Sequence, residues 1–371
     1  MYDFVVVGAG PAGSRFARRA ADAGHDVLVL ERGQVGTPLA CSGHVSTDIW
    51  KFTPEGARDD LLQNEVYGAR FHIDGPQSPE HPFYKDEVIS NVIDRVGLDR
   101  TLARAAEDAE ADLREGHSVS DVDEHGEYVD VTANTPDGTE TFRGKMVVGC
   151  DGPVSRVRRE LHLPEPGEKL QGVLGFTTDT HNGNFVDVHL TAPRFFAWRI
   201  PRGTAGVEYG LAAPPGENAR ELFDRFTADY GVETENFCAG MIPIGPARSV
   251  TAHRGFLIGD AAAQTKPFTG GGILYGMNRG GPRRRNRGPR RPRHARRLRA
   301  RVARGVEKRD STGPLGPPSV LPPETRPEGG THGDGGRNRR SHGQTDLVLL
   351  DGPPPETPLA LVVGTDYPDG V

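Results

Sequence analysis

The chain opens on a short apolar run, Phe4-Val5-Val6-Val7, and then changes period. From Pro11 to Gly24 the apolar positions fall on one side of a 3.6-residue repeat, and from Val27 to Leu30 they again form a continuous run. This pattern predicts strand, amphipathic helix and strand. Lys145 to Cys150 reads as another buried strand, ending in a turn at Asp151-Gly152-Pro153. Between Gln171 and Ala213 the blocks GVLGFTTDT, NFVDVHLTA, FFAWRIP and GVEYGLAA alternate apolar with polar positions and are bounded by Gly, Pro and Asn, which predicts several antiparallel strands. Glu217 to Tyr230 predicts a helix with Leu222, Phe223 and Phe226 on one face. Gly255 to Met277 predicts a strand ending in Gly259-Asp260, a loop, and three glycines opening a helix.

Glycines at the ends of these strands carry the candidate chemistry. Gly8-x-Gly10-x-x-Gly13 lies between the first strand and its helix, and Glu31 follows the second strand, 18 residues after Gly13. Set in this order the motif predicts a dinucleotide-binding unit. Gly8 makes the tight turn, Gly10 admits the pyrophosphate, Gly13 lets helix and strand pack, and Glu31 accepts ribose hydroxyls. Ala12 and Arg32, inside and beside the motif, join the cofactor-binding set.

The later glycines predict a flavin. Gly270, Gly271 and Gly272, followed by Ile273, let backbone N–H groups approach a planar ring, and a helix N-terminus places positive dipole near a reduced ring. Asp260, with Gly259, is suited to accept hydrogen bonds from ribityl hydroxyls. Asp151-Gly152 is read either as part of the nucleotide groove or as an ordinary turn and helix cap. Three such segments imply one cofactor, FAD. No second nucleotide fingerprint for NAD(P)H is present.

Length and composition narrow the class. The 371 residues suffice for a nucleotide domain with a smaller sheet inserted in it. Apolar runs are short, so no membrane span or signal peptide is expected, and the expected location is cytoplasmic. Cys41, Cys150 and Cys238 form no CxxC pair and no metal spacing, so no metal is expected.

Charge divides the chain in two. Residues 1–277 hold 26 Lys+Arg against 41 Asp+Glu, net −15, with only five lysines; residues 278–371 hold 19 against 10, net +9. The acidic front suggests solubility in a salt-rich cytoplasm. Three readings apply to the Arg/Pro/Gly-rich end: a nucleic-acid-binding arm through Arg283 to Arg304, a disordered linker, or a shifted reading frame.

The shifted frame is the favoured reading, and no nucleic-acid partner is expected. Asn278 to Arg283 can be written in codons that read Thr-Ala-Ala-Asp-His-Ala one base downstream, continuing the helix from Met277. Arg290 to Glu307 likewise admits an acidic amphipathic helix. Pro282, Pro289 and Pro292 would stop any helix in the frame as written.

Residues 1–277 resemble the geranylgeranyl reductase family of flavoproteins, particularly the archaeal enzymes that saturate isoprenoid membrane lipids. Besides the three glycine segments, the resemblance rests on Cys41-Ser42-Gly43, Ile93-Asp94-Arg95 and Phe196-Ala197-Trp198-Arg199-Ile200-Pro201. It implies an α/β fold: a Rossmann-type FAD-binding domain of the aromatic-hydroxylase type with an inserted antiparallel-sheet substrate domain. The implied divisions are 1–165 for the first part of the FAD domain, with substrate-layer strands at about 65–90, then 166–250 for the substrate domain and 251–277 for the last part of the FAD domain. Residues 278–371 are expected to be disordered.

The resemblance also implies roles. Arg95 would touch the FAD pyrophosphate, Cys41 and Gly43 would line the flavin's substrate face, and Cys41 would be the candidate proton donor. Trp198 and Pro201 would shape a lipid tunnel, although a sheet Trp also serves simply as core. The electron donor is open between a ferredoxin, a deazaflavin and NAD(P)H, and peripheral membrane contact would supply the isoprenoid lipid. A flavin monooxygenase of the same fold is the second reading.

Overall fold

The computed structural model describes residues 1–37, 41–245 and 247–279. Expectations for the Arg/Pro/Gly-rich stretch from 280 onward, disorder and shifted-frame helices included, lie outside the described residues.

The expected strand, helix and strand form the centre of the first sheet. Tyr2–Val7 pairs in parallel with Val27–Leu30 on one side and with the end of the long strand Gly138–Gly149 on the other. Val5, Val6, Leu28 and Val29 are wholly buried, as a strand covered on both faces requires. Asp112–Arg114 extends the sheet beyond Val27–Leu30, and the antiparallel strands Val129–Thr135 and Ser118–Glu124 extend it the other way. The last strand among the described residues, Gly255–Leu257, pairs in parallel with Val147, Val148 and Gly149. The third glycine segment thereby lies beside the first two, although all three are far apart in the chain.

Helix Pro11–Ala21 starts with proline in its first turn, where a missing N–H costs nothing, and has Arg18 and Arg19 in its last. Its Phe16 meets Phe4 edge-on at 5.2 Å and Phe256 at 5.7 Å, so one side chain joins the first and last strands. Helix Arg95–Glu107 packs beside it; Asp94 caps that helix by accepting the Gly97 N–H at 3.0 Å.

The second sheet has seven strands in the order Glu235–Ile244, Glu168–Thr177, Val207–Ala213, Ala197–Pro201, Phe185–His189, Gly68–His72 and His81–Tyr84. All neighbours are antiparallel except Phe185–His189 with Gly68–His72. Strand alternation divides its faces. Val207, Tyr209 and Leu211 pack under Phe223 and Phe226 of helix Ala219–Tyr230, whereas Val186, Val188, Ala69 and Ile200 face the other way, with Phe196 and Trp198. The helix-side face also buries a charged group: Asp187 meets Arg70 at 2.7 Å and Arg199 at 3.1 Å.

A three-stranded sheet of His44–Ser46, Ser90–Ile93 and Leu62–Val66 connects the two. Its core includes Ile49, Leu61, Ile93 and Leu98, and it closes over Met277, which is fully buried on the last described helix, Ile273–Arg279.

Candidate flavin and substrate site

One cavity of about 1880 Å³ runs from the glycine segments to the apolar face of the second sheet. Three crossings explain how the distant motifs form one wall. A Cβ on Gly8 (φ +98°) would lie 2.5 Å from the Cys150 carbonyl oxygen; a Cβ on Gly13 would lie 2.0 Å from the Gly8 carbonyl oxygen. A Cβ on Gly276 would come within 3.0 Å of Gly259 and 3.1 Å of Ala12. Glycine is therefore required where backbones touch. Gly10 differs, since a Cβ there meets nothing within 4 Å and the residue faces the cavity. Open space beside an otherwise packed turn is what the pyrophosphate of a bound dinucleotide needs.

Arg158, 1% exposed, holds the other two segments together. Its guanidinium donates to the carbonyls of Pro153 at 2.9 Å and Ala261 at 3.1 Å, and to Glu165 at 2.8 Å. Only the fold brings Ala261 to Arg158, 103 residues away in the chain.

Ala12, Glu31, Arg32, Cys41, Arg95, Asp151, Gly152, Gly259, Asp260, Gly270, Gly271, Gly272, Ile273 and Trp198 all line the cavity. Glu31 accepts the Ala9 N–H at 2.7 Å, which fixes its carboxylate against the glycine turn. Asp260 accepts no hydrogen bond from a described side chain, and burial pushes its carboxyl up to about 6. An acceptor in this state fits the ribityl hydroxyls of FAD. Gly272 must lack a side chain because its Cβ would fall 2.5 Å from the Asp260 carboxylate.

Arg95 is buried, its guanidinium donates to Asp99 at 2.6 and 3.2 Å, and Cys41 lies close enough to act on its charge. Its Nε is buried without a partner. Opposing charge from Asp99 outweighs burial and raises its pKa further, so it stays a cation. The cavity wall thus presents a fixed positive charge with a donor to spare, which fits a pyrophosphate.

Several sequence expectations need correction. Asp151 reaches the cavity, but its carboxylate accepts Ser155 Oγ at 2.6 Å and the N–H groups of Arg156 and Val157 at 2.6 and 3.1 Å, so it organises the turn at helix Arg156–Glu160. Gly43, expected at the flavin's substrate face, lies behind the wall, as does Gly13, whose role was read as packing. Gly43 (φ +68°) is required because a Cβ would meet the Ile93 carbonyl oxygen at 2.4 Å. Pro201 does not line the cavity: alternation along Ala197–Pro201 turns Trp198 and Ile200 inward, and the Pro201 carbonyl accepts Asn64 Nδ2 at 3.0 Å.

Arg202, Glu208 and His44 escaped the sequence reading. No motif marks them, because each matters through strand pairing and domain packing. Glu208 is fully buried, and Arg202 pairs with it at 2.8 Å. His44 lines the cavity, bonds Ser90 Oγ at 2.7 Å, and is pushed down to about 4 by burial and by the Arg202 charge. It is neutral near pH 7.

Among the described residues no helix is long and apolar enough to cross a membrane.

Comparison with known proteins agrees with this geometry. Two models, each described as an FAD binding domain, match residues 3–67 and 54–231. A digeranylgeranylglycerophospholipid reductase of Methanococcoides burtonii is 32% identical, covering 75% of this chain and 72% of the relative. One from Methanothermobacter thermautotrophicus is 29% identical, covering 73% and 74%. A geranylgeranyl bacteriochlorophyll reductase-like protein of Thermoplasma acidophilum shares the fold, with a TM-score of 0.69, 23% identity and coverage of 82% and 79%. With FAD binding domain models matching residues 3–67 and 54–231 and a relative 32% identical over most of both chains, the chain belongs to the digeranylgeranylglycerophospholipid reductase family of flavoproteins.

Proposed function

We propose that this protein, with FAD bound, reduces carbon–carbon double bonds in the geranylgeranyl chains of isoprenoid glycerophospholipids. The observation that carries the reading is the continuity of the cavity. One end is lined by the polar FAD segments and the other by Ala69, Leu174, Val186, Val188, Trp198 and Ile200. An apolar trough leading directly to a flavin site suits a long hydrocarbon chain.

Gly10, Glu31, Arg32, Arg95 and Asp260 would hold FAD, with Gly152, Gly259, Gly270, Gly271, Gly272 and Ile273 giving it backbone room and Asp151 shaping its turn. Bound and reduced, FAD supplies a hydride equivalent to one alkene carbon. The protein must orient the alkene, exclude water and bring a proton to the other carbon. Cys41 is the proton donor in this reading, because its sulfur lies in the cavity wall against Arg95. Trp198 and Ile200 would bear on the prenyl chain. The two larger sheets would form the FAD and substrate domains, divided near 165 and 250.

The electron donor is a ferredoxin, a deazaflavin or NAD(P)H, and lipid would enter from the inner membrane face by peripheral contact. The net charge of −15 over residues 1–277 supports a salt-rich cytoplasm. The abrupt reversal of charge supports a frame shift after Met277, with the chain as written holding FAD weakly or being inactive.

Anaerobic incubation with dithionite and a geranylgeranyl glycerophospholipid tests the activity, read as mass gains of two per reduced bond. Saturation without oxygen is expected. Product formation only with oxygen, as hydroxylated or epoxidised lipid, would support the monooxygenase reading instead.

A further inference from the structure

Cys41 and Trp198 belong to different parts of the cavity wall, one on the loop before strand His44–Ser46 and the other on the second sheet. One buried ion pair connects them. Glu208, 0% exposed, uses its two oxygens separately: one accepts Trp198 Nε1 at 2.8 Å and the other accepts Arg202 Nη1 at 2.8 Å. Arg202, 6% exposed, also donates to the carbonyls of Ser42 and, at 3.2 Å, Ile93. Ser42 adjoins Cys41, and Ile93 lies two residues before Arg95, which lines the same cavity as Cys41. Trp198 itself lies against Gly210, where a Cβ would fall 2.4 Å from the indole.

A buried pair of this kind is poor value as a source of stability. Desolvation costs several kcal/mol per ion, and apolar replacements of similar volume are often neutral or better. What the charges provide is direction. Glu208 has one oxygen for the wall and one for Arg202, while the planar fork of Arg202 reaches two backbone carbonyls on the other side of the interface. Apolar side chains could fill this volume without fixing the loop's distance from the indole.

We propose that Glu208 and Arg202 are positioning residues that clamp the Cys41 loop to the substrate sheet and set the thiol's place relative to Trp198. The proposal rests on the reductase reading for its kinetic consequence. Its geometric consequence, restraint of the Cys41 loop, does not depend on that reading.

The test uses the full chain with FAD and three variants: Glu208→Gln, Arg202→Lys and the volume-filling double variant Arg202→Met with Glu208→Leu. Three quantities are read: lipid saturation as kcat and KM, Cys41 alkylation by iodoacetamide followed by peptide mass mapping, and Tm with flavin content. The double variant is expected to stay folded with a lower Tm, since the Ser42 and Ile93 carbonyls and Trp198 Nε1 lose their partners, while kcat falls at least tenfold with KM within about threefold, and Cys41 alkylates several-fold faster. Wild-type kcat and wild-type alkylation in a folded variant would overturn the proposal. If no protein saturates lipid but alkylation still accelerates in the folded double variant, the clamp is supported and the reductase reading fails. If the single variants unfold, the double variant decides.

Discussion

At the residue scale, the fingerprint glycines separate folding from binding. Gly13→Ala puts a methyl group against the Gly8 carbonyl at 2.0 Å, whereas Gly10→Ala meets nothing within 4 Å. Gly13→Ala is therefore expected to destabilise the protein by about 1–3 kcal/mol, as overpacking does. Gly10→Ala is expected to leave apoprotein unfolding unchanged while lowering FAD affinity at least tenfold. Urea unfolding and flavin titration check the contrast, and equal losses of stability in both variants would contradict it. His44 carries a pH prediction. Its folded pKa of about 4 lies below the ordinary 6.5, so the unfolded state binds its proton first. The stability due to neutral His44 is thus present above about pH 6.5 and lost as pH falls towards about 4. Between pH 7 and 4.5 the wild type should lose more Tm than His44→Gln. The separate tasks of Gly8, Gly10 and Gly13 were legible in their spacing, but the Arg202 charge comes to act on His44 only when the sheets meet.

At the element scale, strands and helices followed the hydrophobic pattern closely. The run Val27 to Leu30 is a buried strand, and the alternating blocks from Gln171 to Ala213 are four strands of one sheet. Pattern reading works there because alternation reflects a physical difference between two faces. It did not reveal Arg158, whose two carbonyl partners lie on separate motif segments. Arg158→Met retains much of the volume but leaves the Pro153 and Ala261 carbonyls unpaired. A loss of about 1–3 kcal/mol for each is expected, together with lower flavin content, measured by denaturant unfolding and absorbance. Unchanged unfolding would show that neither carbonyl depends on it.

At the scale of the whole molecule, charge and chain continuity set the expectations. A net charge of −15 over residues 1–277 repels itself at low ionic strength. Tm is expected to rise with KCl towards molar concentrations; a flat or falling profile would remove the argument for a salt-rich setting. The coding DNA is expected to read Thr-Ala-Ala-Asp one base downstream of the Met277 codon and to remain open, and an early stop in that frame would refute a shift. Met277, the last residue before the change in composition, is fully buried among Ile49, Leu61 and Leu98, so the change begins at an element that is part of the core.

The amino-acid sequence alone determined the cofactor unit, the order of its three segments and the layered class, because glycine spacing and hydrophobic period are local consequences of backbone sterics and burial. Tertiary structure alone decided which polar groups meet. It brought Arg158 to Ala261, turned Pro201 away from the cavity and Ile200 into it, committed Asp151 to its own helix, and joined Trp198 to the Cys41 loop through Glu208 and Arg202. Those outcomes depend on strand register and on the approach of one sheet to another, which link residues far apart in the chain and leave no local pattern to read.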